Sequence, residues 1–194
     1  GSEMCIRDSY KIDQIMSVAD KYDIPVIEDA AEGFGSKFDG QVLGTFGKYG
    51  VLSFNGNKMI TTSGGGALVC PDDEARDTIM WYATQARESY PYYQHEVIGY
   101  NYRMSNVIAG VVRGQYPYLE EHIAQKKAIW ERYRDCLRGL PVEMNPFDPE
   151  TSCPNYWLSA LVIDRSAMCR QVRSDNDALY LPEQGKSCPT EILE

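Results

Sequence analysis

Short apolar runs alternate with helical patterns over the first 120 residues or so, and this alternation constrains the fold more than any other feature of the chain. The runs IPVIED (24–29), GVLSF (50–54) and GGALVC (65–70) are predicted as strands. Helical spacing precedes the first run, in residues 10–22, and follows the third, in residues 71–86. Strands that alternate with helices favour a largely parallel sheet covered by helices. The sequence therefore predicts an α/β fold.

The later part of the chain has a different pattern. Ser105 is placed to cap a helix, and a break is expected near Pro117. A long helix is predicted next, from apolar residues at three- to four-residue spacing. These residues are Leu119, Ile123, Trp130, Tyr133 and Leu137. Residues 141–155 are interpreted as a proline-rich connector, and YWLSALVID (156–164) as a strong strand. We expect this part to lead into a second, smaller domain.

Composition and charge exclude some classes of function. Of the 194 residues, 43% are hydrophobic and 24% are charged, as in ordinary soluble globular proteins. No apolar run approaches the roughly 20 residues that span a bilayer, so we expect no membrane segment. The net charge of −9 argues against nucleic acid as the main partner, because phosphate backbones favour a basic face. A small phosphorylated ligand held by local donors remains compatible with this charge.

The cysteines do not predict a metal site. They are widely spaced, no CxxC pair occurs, and the chain has only 2 histidines, so zinc is not expected. Free thiols in a reducing cytoplasm are the favoured interpretation. The 6 cysteines are Cys5, Cys70, Cys136, Cys153, Cys169 and Cys188.

Neither end of the sequence has the pattern expected at the end of a complete protein. GSEMCIRDS (1–9) has neither periodicity nor a secretory pattern, and we interpret it as a non-native leader. The other end, PTEILE (189–194), reads as the beginning of a helix that is cut short. We therefore expect the chain to be an interior fragment of a longer protein.

Two residues that can carry chemistry follow the first two apolar runs. Asp29 ends the first run, and Lys58 comes shortly after the second. If the two strands are parallel neighbours, both side chains reach the sheet edge where ligands bind in open α/β folds. A positioned lysine is typical of covalent chemistry with an aldehyde cofactor. Pyridoxal phosphate also needs a carboxylate beside its ring nitrogen and donors for its phosphate, and the hydroxyls and glycines of TTSGGG (61–66) can supply such donors.

Taken separately, these features also have simpler interpretations. A strand-end aspartate is often a cap or turn residue, a loop lysine is usually solvated, and TTSGGG can be a flexible connector. Nucleotide-binding loops do not explain the pattern. The sequence around Lys58 lacks the spaced glycine and the following hydroxyl residue of a P-loop, and GFGSKF (33–38) lacks the last glycine of GxGxxG.

Three longer motifs distinguish between these interpretations. IEDAAEGFGS (27–36), GTFGKYGVLSFNGNKMITTSGGGALV (44–69) and HEVIGYNYRMSNVIAG (95–110) resemble the pyridoxal phosphate-dependent sugar aminotransferases of the DegT/DnrJ/EryC1/StrS family, in order and in spacing. The resemblance runs from about residue 10 to the end. It implies a partial three-layer large domain of fold type I, like that of aspartate aminotransferase, over residues 10–118. A linking helix and an incomplete small α+β domain would follow over residues 119–194.

The resemblance also implies roles for residues near the lysine. Lys58 resembles the lysine that forms the internal aldimine and then moves a proton between the donor Cα and C4′ of the cofactor. Asp29 resembles the carboxylate that pairs with the pyridine nitrogen. Glu32 stands where many members have a glutamine beside the phenolic oxygen, and glutamate there is familiar in enzymes acting on UDP-linked amino sugars. Ser53 resembles the serine that binds the cofactor phosphate.

Further candidates concern the substrate and a second subunit. Asn101 resembles the asparagine that reaches the phosphate in the neighbouring subunit, which implies a homodimer with shared active sites. Arg103 is a candidate for the diphosphate of a sugar nucleotide, which suits a guanidinium fork. His95 either lines the substrate pocket or is a loop histidine bonded to backbone. Asn55 either shapes the lysine loop, with Asn57, or contacts substrate. Tyrosines that stack on uracil or pack at the dimer interface are Tyr90, Tyr92, Tyr93, Tyr100 and Tyr102.

By resemblance, the function is transfer of an amino group from glutamate to a UDP-linked 4-keto-6-deoxy sugar, for bacillosamine-type or exopolysaccharide synthesis. A GDP-linked sugar of the perosamine type is an alternative substrate. Two other classes stay open: a non-catalytic binding or dimerisation module with the same fold, and a nucleotide-phosphate-binding protein without covalent chemistry. Family members have further sequence at both ends, so we expect the 194-residue chain by itself to bind the cofactor weakly and to be inactive.

Overall fold

The computed structural model describes residues 11–171, 180–181 and 183–188, so the expected leader, residues 1–9, lies outside it. The described helices are α1 (Ile12–Lys21), α2 (Asp73–Ala83), α3 (Asn106–Gln115) and α4 (Leu119–Cys136), with a 3-10 turn, Tyr116–Tyr118, between the last two. None of the helices described is long and apolar enough to cross a membrane.

The strands are short and, within the described residues, form four sheets with the orders β1-β4-β5, β3-β2-β7, β6-β8 and β9-β10. Their bounds are β1 (Ile27–Asp29), β2 (Lys37–Phe38), β3 (Gln41–Val42), β4 (Tyr49–Ser53), β5 (Gly66–Val69), β6 (Val142–Met144), β7 (Ser152–Cys153), β8 (Leu161–Ile163), β9 (Arg170–Gln171) and β10 (Tyr180–Leu181).

The β1-β4-β5 sheet positions the candidate site. β1 and β4 are parallel neighbours, with Asp29 opposite Val51, so the predicted parallel pair is confirmed. β5 pairs antiparallel with β4, with Ser53 opposite Gly66. The expectation of a largely parallel sheet is therefore wrong for β5. The chain returns through the loop of residues 54–65, which has no crossover helix, and a parallel partner would need one.

The first strand buries a carboxylate rather than an apolar side chain. Ile27 is exposed, whereas Glu28 is only 3% exposed, which corrects the expectation of an apolar buried strand. The Glu28 carboxylate accepts backbone N–H bonds from Gly44 at 2.7 Å and from Phe46 and Gly47 at 2.5 and 2.6 Å. Such bonds satisfy the buried charge and fasten the turn before β4 to β1. Since adjacent side chains in a strand alternate, Asp29 faces the opposite, exposed side.

Helix boundaries follow the capping signals. Asp72 accepts the N–H of Ala75 at 2.7 Å to begin α2. Ser105 accepts the N–H of Ile108 at 3.3 Å to begin α3, as predicted. The 3-10 turn contains Pro117, so the expected break between two helices is confirmed.

The buried residues form two clusters. One contains Phe54, Met59, Ile60, Leu119 and Trp157, and therefore joins the lysine loop to the start of α4 and to residues near position 157. The other contains Trp130, Met144 and Tyr156. Because β7 pairs with β2, residues on both sides of position 119 share a sheet. The division of the chain at 118/119 stays a prediction.

The predicted strand over residues 156–164 is wrong for its first half, since only Leu161–Ile163 is extended and paired. Tyr156 has φ +55°, which breaks an extended conformation. Asn145 then holds the bend, donating to the carbonyl of Leu158 at 2.8 Å and accepting the N–H of Ala160 at 2.6 Å. The proline-rich connector likewise contains β6 and β7, which were not predicted.

Candidate active site

Lys58 lies on the loop of residues 54–65, which we call the lysine loop, and backbone hydrogen bonds join the two ends of this loop. The N–H of Phe54 donates to Gly65 at 3.0 Å, and the N–H of Thr62 donates to Phe54 at 2.8 Å. The N–H of Lys58 donates to the carbonyl of Asn55 at 3.0 Å, which forms a turn directly before the lysine. The two residues after Lys58 are buried in the core. The base of the Lys58 side chain is therefore held on both sides.

Two helices hold the loop from outside. The Gln115 amide accepts the N–H of Thr61 at 3.2 Å and donates to the Thr61 carbonyl at 2.5 Å. His122 Nδ1 lies 3.2 Å from the carbonyl of Met59. Residues of α3 and α4 thus bond to the backbone just beyond Lys58. These bonds restrain the loop and argue against a flexible connector.

The amine of Lys58 is paired and largely covered. Its Nζ lies 3.0 Å from Glu32 Oε1, and the Lys58 and Glu32 side chains are 12% and 32% exposed. The same Nζ lies 4.5 Å from the centroid of the Trp157 ring. An ion pair and a ring face both attract a charged amine, and the attraction grows as water is excluded. The structure thus brings Lys58 and Glu32 together, whereas the role of Glu32 beside the phenolic oxygen of the cofactor stays a prediction.

The buried side-chain amide of Asn155 binds the backbone of Glu32, one member of this pair. Asn155 is fully buried, and its Nδ2 donates to the carbonyls of Glu32 at 2.7 Å and Phe34 at 3.0 Å. Its Oδ1 accepts the N–H of Trp157 at 2.9 Å. Sequence reasoning missed Asn155 and Trp157, since their partners are roughly a hundred residues away and the local pattern reads as a connector and a strand.

Asp29 and Ser53 lie at the carboxyl ends of β1 and β4. Because Asp29 pairs with Val51, and Val51 and Ser53 share a side of β4, the two polar side chains share one face of the sheet. Asp29 is exposed, and its Oδ1 accepts the N–H of Ala31 at 3.1 Å, which is a turn contact. Ser53 Oγ lies 3.4 Å from the N–H of Asn55, which it accepts.

Of the substrate candidates, Asn55 lies in the lysine loop, whereas His95 and Arg103 follow α2. We call residues 87–103 the tyrosine segment. Its backbone is tied to the end of α2, because the N–H groups of Tyr102 and Arg103 donate to Ala83 at 3.0 and 3.2 Å. Asn101 makes a bridge to Thr84. The side chains of Asn101 and Arg103 are exposed, and their described backbone contacts go to α2 rather than to the lysine loop.

His95 is bonded to the backbone, and its role in a substrate pocket stays a prediction. Its Nδ1 lies 2.9 Å from the carbonyl of Gln85, so the ring is bonded to the backbone. It also lines an open cavity of about 750 Å³. The cavity is formed by Gln85, His95, Glu96, Val97, Ile98 and Gly99.

The tyrosine segment exposes an aromatic surface. Tyr90 stacks on Tyr92 with centroids 5.4 Å apart, and Tyr100 on Tyr102 at 5.0 Å. Tyr93 and Tyr102 are 77% and 76% exposed. Such pairs preorganise flat apolar faces, which suit packing against another surface or a ring.

Other chemical signals lie outside these two regions. Within the described part of the chain, no group of three or more His, Cys, Asp or Glu side chains could hold a metal ion. Hydrogen bonds from Ser166 lower the pKa of the exposed Asp164 carboxyl, and a hydrogen bond from Lys186 lowers the pKa of Glu183. Both carboxyls belong to surface turns and have no described contact with Lys58.

Sequence comparison decides the family. The model of the DegT/DnrJ/EryC1/StrS aminotransferase family matches residues 8–178. The chain belongs to this family. The resemblance read from the three motifs is therefore confirmed, and the lysine of its second motif is the one paired with Glu32.

Curated members of the DegT/DnrJ/EryC1/StrS family share substantial identity with the chain. EpsN of Bacillus subtilis (strain 168), named as a pyridoxal phosphate-dependent aminotransferase, is 46% identical over 80% of this chain and 40% of its own length. The GDP-perosamine synthase of Escherichia coli O157:H7 is 39% identical over 78% of this chain and 41% of its own. The chain thus spans about two fifths of the length of these relatives.

Solved structures show the same fold. The aminotransferase TlmJ from Streptoalloteichus hindustanus superposes with a TM-score of 0.72 at 25% identity, covering 79% of this chain and 42% of TlmJ. This likeness confirms the predicted α/β fold class of the DegT/DnrJ/EryC1/StrS aminotransferases.

Proposed function

We propose that this chain is the lysine-bearing part of a pyridoxal phosphate-dependent aminotransferase that moves an amino group from glutamate to a nucleotide-linked keto sugar. The observation that carries the proposal is the setting of Lys58, whose covered amine lies 3.0 Å from Glu32. Lys58 follows β4, and β4 is the parallel neighbour of β1, the strand that ends in Asp29. When bound, pyridoxal phosphate supplies an aldehyde for the amine and a ring that takes up electrons.

The residues present fit that cofactor. The exposed Asp29 carboxylate and the Ser53 hydroxyl share one sheet face, so they suit a ring nitrogen and a phosphate that lie on that face. Further phosphate donors are available in the turn between Lys58 and β5, where Ser63 is exposed and Gly65 has φ +89°. Glu32, beside the Lys58 amine, is placed for the phenolic oxygen.

Lys58 would work as acid and base. Its amine would leave Glu32 and the Trp157 ring, take the proton from Cα of the amino donor and return a proton to C4′ of the cofactor, while the loop backbone keeps the base of the side chain in place. Glu32 would orient the amine between the two transfers. Trp157 covers the amine on one side and keeps water from it there.

We infer that the working enzyme is a cytoplasmic homodimer that acts in cell-surface glycan or exopolysaccharide synthesis. The exposed Asn101 and Arg103 would reach the phosphate and the sugar nucleotide in the partner's site. In this proposal residues 10–118 belong to the large domain, and residues 119–194 begin the small one. The β2-β7 pairing keeps the segment around Asn155 attached to the large domain.

The nucleotide is the finer part of the proposal. Relatives are named both for GDP-perosamine and for UDP-linked amino sugars. We favour a UDP-linked 4-keto-6-deoxy sugar because Glu32, and not glutamine, pairs with the lysine. A GDP-linked 4-keto-6-deoxy sugar is the second candidate, favoured by the 39% identity to GDP-perosamine synthase.

A turnover assay tests this proposal. The full-length protein that contains the chain is given pyridoxal phosphate, glutamate and a panel of UDP- and GDP-linked 4-keto-6-deoxy sugars, and release of 2-oxoglutarate is measured. We expect release with a UDP-linked sugar and none after Lys58→Ala. Preference for the GDP-linked sugar would overturn the UDP assignment, and no release with any sugar would overturn the aminotransferase assignment.

A further inference from the structure

The Lys58–Glu32 pair is held by one short segment from far along the chain. Residues 155–157 contact both members of the pair, although roughly a hundred residues separate them from it. We call Asn155 and Trp157 the clamp. The clamp was not among the residues implied by the resemblance, and the reaction as described above does not require its bonds.

Trp157 makes two separate contacts with the lysine loop. Its Nε1–H donates to the carbonyl of Asn57 at 2.5 Å, which fixes the residue directly before Lys58. Its ring lies under the amine, 4.5 Å from Nζ. One side chain therefore restrains both the backbone and the tip of the lysine.

Asn155 links Trp157 to the backbone of Glu32. Its Oδ1 holds the backbone N–H of Trp157, and its Nδ2 holds the carbonyl of Glu32. Its own N–H donates to Ser36 Oγ at 3.0 Å. A fully buried side-chain amide that donates two hydrogen bonds and accepts one fixes the geometry of its neighbours, because any displacement leaves a buried polar group unpaired.

The two buried tryptophans differ in the partner of the indole N–H. Trp130 is buried to a similar extent, and a cation also lies over its ring, with Arg134 Cζ 4.9 Å from the centroid. Its indole N–H has no hydrogen-bond partner within the described residues. The indole N–H of Trp157 donates to Asn57, so this ring is held in one orientation beside Lys58.

We propose that Asn155 and Trp157 are positioning residues that hold the charged Lys58 amine against Glu32 until an aldehyde is bound. The Glu32 carboxylate at 3.0 Å and the Trp157 ring at 4.5 Å both attract Nζ, so the amine must leave both before it can turn toward its reaction partner. This inference rests on the proposed function for the identity of that partner. The restraint on the amine can be measured without any cofactor.

The first test is the reactivity of the Lys58 amine in the full-length protein without cofactor. Trace acetylation with acetic anhydride, followed by peptide mass mapping, gives the labelling of Lys58 relative to the exposed Lys48. Trp157→Phe keeps a ring and loses the hydrogen bond, and it should raise the relative labelling about threefold. Trp157→Leu loses both and should raise it about tenfold or more. Thermal unfolding checks that each variant is folded, and Trp157→Phe decides if Trp157→Leu is not.

Trp81→Phe and Trp81→Leu are the matched controls, because the Trp81 indole also donates a hydrogen bond to a backbone carbonyl, that of Arg87 at 3.0 Å, but lies on α2. We expect them to change the relative labelling of Lys58 by less than about twofold. Equal labelling in wild type and folded Trp157 variants, or an equal rise in the Trp81 variants, would show that Trp157 does not position the amine and would overturn the proposal.

A second readout separates positioning from general loss of stability. With cofactor and substrates, Trp157→Phe should lower kcat by about threefold to tenfold and leave the KM for the nucleotide sugar unchanged, because Trp157 contacts the lysine and its backbone and not Arg103, the proposed diphosphate contact. A change confined to KM would contradict positioning of the amine. Failure of wild-type Lys58 to take up pyridoxal phosphate would overturn the proposed function alone, since the acetylation result is independent of it.

Discussion

The lysine loop and the tyrosine segment supply most of the candidate residues, yet the structure treats them in opposite ways. Lys58 points inward, with its side chain 12% exposed and its surroundings provided by α3, α4 and the clamp. The tyrosine segment is held through its backbone to the end of α2, and its side chains point outward. The lysine motif thus forms a covered ion pair within the chain, whereas the tyrosine motif presents an exposed surface.

This difference teaches where a partner is needed. A covered ion pair on a fixed loop can be completed by a small ligand, whereas exposed stacked tyrosines beside an exposed asparagine and arginine need a second surface to become a site. The proposed homodimer meets that need, because each tyrosine segment would complete the pocket built around the partner's lysine. The following variants test the two regions against each other.

The largest effect is expected in the lysine loop. Lys58→Ala removes the amine that binds the cofactor and moves the proton, so the rate of amino transfer should fall about 10⁴-fold or more. The variant should still fold, because the side chain is not part of the core clusters. Lys48→Ala, at an exposed lysine of the same stretch, is the control and should leave the rate within about twofold.

The tyrosine segment makes a sharper prediction if it acts in the partner's site. Asn101→Asp, which would repel the phosphate, and Lys58→Ala should each be inactive alone. Mixed subunits should regain about a quarter of the wild-type rate, because half of the dimers carry one of each and have one intact site. Co-purified differently tagged chains allow the measurement. No recovery, with mixed dimers present, would place Asn101 and Lys58 in the same subunit's site and break the comparison.

A smaller effect is expected at the edge of the sheet. Asp29→Asn should lower the rate by about 10²-fold, since the ring nitrogen loses its carboxylate partner. The free energy of unfolding should change by less than about 1 kcal/mol, because the residue is exposed. Asp39→Asn is the matched control in an exposed turn, where asparagine tolerates the observed φ of +49°. Equal rates in the two variants would leave Asp29 as a turn residue only.

The smallest effect is expected at His95, whose ring is bonded to Gln85 and lines the open cavity. His95→Ala should raise the KM for the nucleotide sugar by about threefold and lower the free energy of unfolding by about 1 kcal/mol. Steady-state kinetics and thermal unfolding separate the two. Lower stability with an unchanged KM would make His95 a loop residue and remove it from the substrate pocket.

Local signals in the sequence predicted the parts of this fold that are local. Capping by Ser105, the break at Pro117 and the strand before Asp29 depend on neighbours in the sequence, and each is confirmed. The direction of β5 was wrong, since a short apolar run looks the same in either orientation and only the path of the loop decides it.

The surroundings of the lysine were only partly predictable. Glu32 was named because it stands in a motif, but its ion pair with Lys58 was not predicted and is a finding of the structure. Asn155 and Trp157 were not predicted because their hydrogen bonds join residues that are far apart in the sequence, and no local pattern marks either residue. The burial of Glu28 was not predicted for a similar reason, since the three N–H groups that donate to its carboxylate belong to Gly44, Phe46 and Gly47, further along the chain.

The most direct test of the account is to reduce the full-length protein with borohydride in the presence of pyridoxal phosphate and to map the modified peptides by mass spectrometry. The account predicts one dominant phosphopyridoxyl label, on Lys58, which disappears in Lys58→Ala and does not move to Lys48 or Lys37. Lys58→Arg serves as a second control, since it keeps the charge beside Glu32 without a reactive amine. A folded protein in which label is spread over surface lysines, with Lys58 unmodified, would contradict the central claim.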